Sequence, residues 1–118
     1  MLDRLAAAAL MLAVLAAGTG APPAAAQSYD CSKVMAADEK AVCNSPRLSA
    51  LDDEMAKLYD AIRRCALMGT RGEVTDSQHT FMAERAACGA DDACLTSLYT
   101  DRVATLGKIK REMGPGAC

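Results

Sequence analysis

An all-α fold, a small disulfide-stapled bundle of one short and three longer helices, is predicted by three observations. Leu48, Leu51, Met55, Leu58, Ile62 and Cys65 recur at helical spacing behind a helix-start signal at Ser45-Pro46. Cys88 and Cys94 bracket a Gly-Ala-Asp-Asp-Ala link whose two flanks both read as helix. Strand-like alternation is absent from the sequence, as is any internal repeat.

Residues 1–26 read as a cleaved secretory signal peptide. Arg4 precedes an unbroken apolar run from Leu5 to Ala17, too short for the roughly 20 residues a spanning helix needs. Ala24-Ala25-Ala26 before Gln27 fits the small-x-small cleavage pattern. Cys31 follows Ser-Tyr-Asp, without the small and apolar residues of a lipid-attachment site, so no stable membrane anchor is expected after cleavage. Residues 27–118 then form a single domain, periplasmic or secreted. Its net charge stays at −2, because Asp3 and Arg4 cancel.

All 6 cysteines lie in that domain. An even count in an exported chain of this size argues for three disulfides, with the pairing left open. Metal binding is disfavoured: the only histidine is His79, and Cys88 and Cys94 do not have the Cys-x-x-Cys spacing of a zinc ribbon or redox site. No cofactor is expected.

Along the domain, Val34 to Cys43 is a short helix candidate, with Val34, Ala37 and Ala41 at helical spacing. Ser45 is a good cap and Pro46 suits the first helical position of the long helix that follows. Asp53 with Lys57 and Asp60 with Arg64 are acid–base pairs four apart that mark its wet face. The two glycines of Met68 to Thr75 predict a loop with Arg71 at its tip. Thr75 or Asp76 caps a third helix, Ser77 to Ala87, burying Phe81, Met82 and Ala86. Gly89 can take the left-handed conformation that ends it, and Asp91 or Asp92 can start the next. The fourth helix runs from Asp92 to Met113, with Leu95, Leu98, Tyr99, Val103, Leu106 and Ile109 on its inner face, and Gly114-Pro115-Gly116 stops it. Met55, Met82 and Met113 are expected to fill gaps in the core.

In order, Asp30-Cys31, Glu39 to Cys43, Leu48 to Glu54 and Leu58-Tyr59, followed by Glu84-Arg85, Cys88-Gly89, Cys94-Leu95, Tyr99 and Arg102, make a specific set. With it, the chain resembles the family of small exported bacterial domains named after the lysozyme inhibitor LprI. Phe81 stands where that family more usually has tryptophan, and the tail after Leu106 carries little of the likeness. The resemblance implies disulfides Cys31–Cys43, Cys88–Cys94 and Cys65–Cys118. On the loop-entropy model these contribute about 3, 2 and 4 kcal/mol respectively.

The resemblance also implies an envelope inhibitor that binds lysozyme-type muramidases; a periplasmic interaction or scaffold module without that activity is the alternative. An enzyme is not expected, because no nucleophile–base pair is recognisable. Asp52, Glu54, Glu84, Arg85 and Arg102 read as structural ion pairs, the two arginines facing acids of the long helix. Arg71 is the candidate partner-binding residue, its guanidinium suited to a carboxylate in a muramidase cleft. A slightly acidic chain without a basic stripe argues against nucleic acid.

Overall fold

The computed structural model describes residues 29–118. The predicted signal segment 1–26 and its cleavage site lie outside the described residues. Four helices follow one another: α1 (Ala37–Asn44), α2 (Pro46–Cys65), α3 (Met68–Cys88) and α4 (Asp92–Met113). Among the described residues there is no strand. Short links make α2, α3 and α4 alternate in direction. α4 therefore lies parallel to α2, and these two share the most extensive contact.

α2 starts as its sequence dictates. The Ser45 hydroxyl accepts from the Leu48 N–H at 3.2 Å, and Pro46 occupies the first turn. Leu48, Met55 and Ile62, seven apart, are fully buried, whereas Leu51 and Leu58 are only half-buried at the edge of the stripe. α4 answers with Leu95, Tyr99 and Leu106. Val42 of α1 and Val74 and Phe81 of α3 complete the core, with the Phe81 and Tyr99 rings edge to face, centroids 5.1 Å apart.

The Met68–Thr75 segment is helix, correcting the predicted loop. Glycine at an interior helical position costs up to about 1 kcal/mol, which makes the segment look like a break. Val74 is 1% exposed, however, and its burial with Phe81 one heptad later fixes the face of α3 that turns inward. Tertiary packing outweighs local propensity. The expected cap at Thr75 or Asp76 therefore does not exist, and the helix starts behind Leu67, whose carbonyl accepts from Arg71 N at 2.9 Å. Arg71 is on the second turn of a helix, not at a loop tip. The same inward face leaves Met82 41% exposed and Ala86 exposed, so neither joins the core. Of the three methionines expected to fill it, Met55 is buried and Met113 half-buried.

α1 is shorter than predicted. Residues 30–33 form a turn, with Lys33 N donating to Asp30 O and the Asp30 carboxylate accepting from the Ser32 N–H and hydroxyl. These local bonds compete with helix and delay its start to Ala37. The buried pair on α1 is Asp38 and Val42, not the alanine stripe. At the α3–α4 corner Gly89 has φ +57°, and Asp91 caps α4 by accepting from Cys94 N at 2.9 Å.

The disulfides are Cys31–Cys43, Cys65–Cys118 and Cys88–Cys94, the pairs that the resemblance implies. The first holds the turn before α1 to that helix, the second ties the end of α2 to the tail, and the third closes the α3–α4 corner.

Burial predicts the hierarchy of core losses. Ile62→Ala is expected to cost about 2 to 5 kcal/mol, and half-buried Leu58→Ala less. Asp60→Ala, exposed on the same helix, should stay within about 0.5 kcal/mol of wild type. Urea denaturation followed by circular dichroism checks the order; equal losses at Ile62 and Asp60 would contradict this face assignment.

Candidate functional site

Two polar features stand out, one inside the bundle and one on its surface. The inner one is centred on Arg85, which is 2% exposed on the core face of α3. Its Nε donates to Asp38 Oδ2 of α1 at 2.7 Å, and its Nη2 lies 3.6 Å from Glu39 Oε1. Its Nη1 donates to the Tyr99 hydroxyl of α4 at 3.4 Å. That hydroxyl donates in turn to Asp52 Oδ1 of α2 at 2.8 Å. The Tyr29 ring closes the cluster from above, with the guanidinium carbon 5.3 Å from its centroid, and the Tyr29 hydroxyl donates to the Glu39 carbonyl. Every helix thus contributes to one network.

The electrostatics follow from burial. Desolvation alone would lower the Arg85 pKa, but the Tyr99 hydroxyl, Asp38 and Tyr29 outweigh it and hold the guanidinium above its ordinary range. Desolvation raises Tyr99 and Tyr29 well above the usual tyrosine range, and the Asp52 carboxylate adds to both. Neither the guanidinium, which stays charged, nor the two phenols, which resist ionisation, are poised to exchange a proton near neutral pH.

Arg102 of α4 does not follow the predicted pairing. Among the described residues its hydrogen-bond partners are neutral: Gln78 Oε1 at 2.9 Å, the Ser77 hydroxyl at 3.0 Å and the Val74 carbonyl at 3.4 Å. Burial pulls its guanidinium below the ordinary arginine range, offset in part by Tyr59. It clamps α4 to the inward face of α3. Glu54 and Glu84 are also corrected: both are exposed, and among the described residues neither forms an ion pair. Arg85 pairs with Asp38 and Glu39, and Asp52 accepts from the Tyr99 hydroxyl. Among the described residues Arg85 finds its acids on α1 and reaches α2 through Tyr99. Asp38 and Tyr29 were the members that sequence reading missed. The Asp-Glu pair in the first turn of α1 looks like ordinary helix-dipole complementation, and nothing local reveals that Asp38 faces inward.

The surface feature is a groove between α3 and α4, made of two adjoining depressions of about 430 and 450 Å³. They share Glu84, Leu98 and Asp101, with Ser97 at one end and Thr105 at the other. Leu98 forms an apolar floor, and both carboxylates are exposed without an ion-pair partner among the described residues. Arg71 is remote from this groove. Its Nη2 donates to the Ala66 carbonyl at 3.0 Å, which ties it back to the α2–α3 link. His79 is exposed on α3. Among the described residues no group of three or more His, Cys, Asp or Glu side chains is arranged to hold a metal ion.

Compared with protein-family models, with curated proteins and with solved structures, the chain matches none. The LprI-like resemblance rests on the ordered motifs alone.

Two measurements check the inner network. Asp38→Ala leaves the Arg85 charge buried without its closest partner and is expected to cost about 3 to 5 kcal/mol in denaturant unfolding. The raised Tyr29 and Tyr99 pKa values mean that the unfolded chain ionises these phenols first. Their stabilisation is complete below pH about 10, the unfolded tyrosine range, and falls as pH rises through and beyond it. Phenolate absorbance should therefore show two tyrosines ionising only together with alkaline unfolding; their ionisation in the folded protein near pH 10 would overturn the assignment.

Proposed function

We propose that the chain is an exported, non-catalytic binding module of the cell envelope, and that its target is a lysozyme-type muramidase. The observation that carries the reading is the α3–α4 groove. Among the described residues Glu84 and Asp101 have no ion-pair partner; they flank the apolar Leu98 floor of a groove whose end is closed by the Cys88–Cys94 bridge. The two exposed carboxylates outnumber the buried Arg102 that also lines the groove, which suits a basic protein surface, and many lysozymes are strongly basic. Complementary charge raises the encounter rate and sets orientation, while apolar contact at the floor contributes affinity. The ordered motifs shared with the LprI-like domains support the same target class.

This reading replaces Arg71 as the contact, since a guanidinium tied to the Ala66 carbonyl is no protruding finger. The alternative, an interaction module with another envelope partner, is favoured by one fact. The motif residues Cys31, Cys43, Asp52, Arg85, Cys88, Cys94, Tyr99 and Arg102 serve the framework, which any target could share.

Muramidase activity measured with increasing amounts of residues 27–118 decides between the two. Inhibition is expected, and Glu84→Gln with Asp101→Asn should weaken it by on the order of tenfold, mainly through slower association at low salt. Inhibition that this double variant leaves unchanged would remove the groove from the interface. Absence of inhibition by the unsubstituted protein would leave the scaffold reading.

A further inference from the structure

The opposite end of the bundle, where the α2–α3 link meets the C-terminus of α4, differs from the rest of the surface. Leu67 and Met68 are adjacent, and 86% and 87% exposed. Beside them runs a groove of about 610 Å³ with Ala66, Ile109 and Met113 among its walls. Around this apolar tip stand Arg63, Arg64, Arg71, Lys108, Lys110 and Arg111, all exposed. Asp60, Glu73, Glu112, 3.8 Å from Lys108, and Glu54, which lines a depression with Lys110 and Arg111, offset them only in part, so this end is net positive on a chain whose net charge is −2.

Helix dipoles account for some of this. The C-termini of α2 and α4 favour cations, and each carries two basic residues in its last turn. They do not account for the exposure of Arg71, near the N-terminus of α3, which among the described residues uses only its Nη2 donor, on the Ala66 carbonyl that ends α2. Nor do they account for two large apolar side chains side by side in water at a helix start. Leu67 occupies the N-cap position, yet offers no side-chain acceptor to the helix.

We propose that this end is a peripheral docking surface for an anionic lipid bilayer. Leu67 and Met68 enter the boundary between headgroups and acyl chains, and the surrounding arginines and lysines meet lipid phosphates. Two weak signals act together here, as they must for peripheral binding: apolar insertion too small to hold alone, and charge complementarity between a basic ring and an anionic surface. Arginine suits the second role because its fork matches phosphate oxygens. Attachment is reversible, and no helix of the described residues is long and apolar enough to cross a membrane. Because α2 and α4 are parallel, docking by their C-terminal ends directs the α3–α4 corner away from the bilayer. The acidic groove is then presented to soluble partners. The inference goes beyond the muramidase reading and does not rest on it.

The test is flotation of residues 27–118, which hold every packing contact described above, with vesicles of equimolar phosphatidylglycerol and phosphatidylcholine or of phosphatidylcholine alone. The expected result is binding to the anionic vesicles only, weakening with salt. Each cation near an anionic surface is worth about fivefold in affinity, so Arg64→Glu with Lys110→Glu should reduce binding by tenfold or more, at about that scale. Leu67→Ser with Met68→Ser, at exposed positions that leave the core intact, should reduce it on the order of tenfold. Lys33→Glu with Lys40→Glu, the same charge change at the other end, should leave it within about twofold. No preference for anionic vesicles, or equal loss in both charge-reversal pairs, would overturn the proposal. So would sedimentation showing a dimer that Leu67→Ser with Met68→Ser abolishes, without vesicle binding, because the tip would then be covered by a second copy. No muramidase is present in these experiments, so the two readings fail independently.

Discussion

The fold depends on keeping one arginine charged inside a small helical core. Arg85 lies where an apolar residue would ordinarily continue the stripe of Val74 and Phe81, and its burial is tolerable only because its charge is matched and its donors are engaged. Asp38 supplies the close countercharge, Tyr99 relays to Asp52, and Tyr29 places a ring face against the guanidinium. An apolar residue at this position would pack against many alternatives. A buried arginine accepts only the arrangement that brings α1, α2 and α4 to it at once. Here the network specifies which helices meet, while Leu48, Met55, Ile62, Leu95 and Leu106 supply the hydrophobic stabilisation.

Arg102 performs a related task with different chemistry. Its cradle of Gln78, Ser77 and the Val74 carbonyl joins α4 to the half of α3 that contains Gly69 and Gly72. The contact fixes the rotation of that segment, and with it the burial of Val74. The two arginines thus clamp α3 at its middle and near its C-terminal end. The hairpin becomes a rigid platform, closed at its corner by Cys88–Cys94.

That platform separates the surface into regions of different character. Inward-facing charge is consumed by the framework, so the chemistry available to partners is what remains outside. On the α3–α4 groove it is acidic with an apolar floor, and at the α2–α3 tip it is basic around Leu67 and Met68. A modest net charge conceals this polarity, because opposite ends nearly cancel. Orientation at an interface follows the local charge and not the total.

The four helices as elements, the α2 start at Ser45-Pro46, the corner at Gly89 and Asp91, and the core faces of α2 and α4 are all legible from the residues alone. These rest on local rules, namely cap chemistry, left-handed glycine and a periodic apolar stripe, which neighbours only reinforce. Only the tertiary structure decided that Met68–Thr75 is helical, that Asp38 is the partner of Arg85, and that Glu54, Glu84 and Arg102 form no ion pairs among the described residues. In each case the deciding contact crosses between helices: Val74 onto the core, Arg85 onto α1, Arg102 onto Gln78. α3 shows the reason most clearly. Its inward face alternates buried Val74 and Phe81 with half-buried Gln78 and buried Arg85, so every second inward position is polar, and a pattern of hydrophobicity along one chain carries no signal for positions that are held inside by hydrogen bonds.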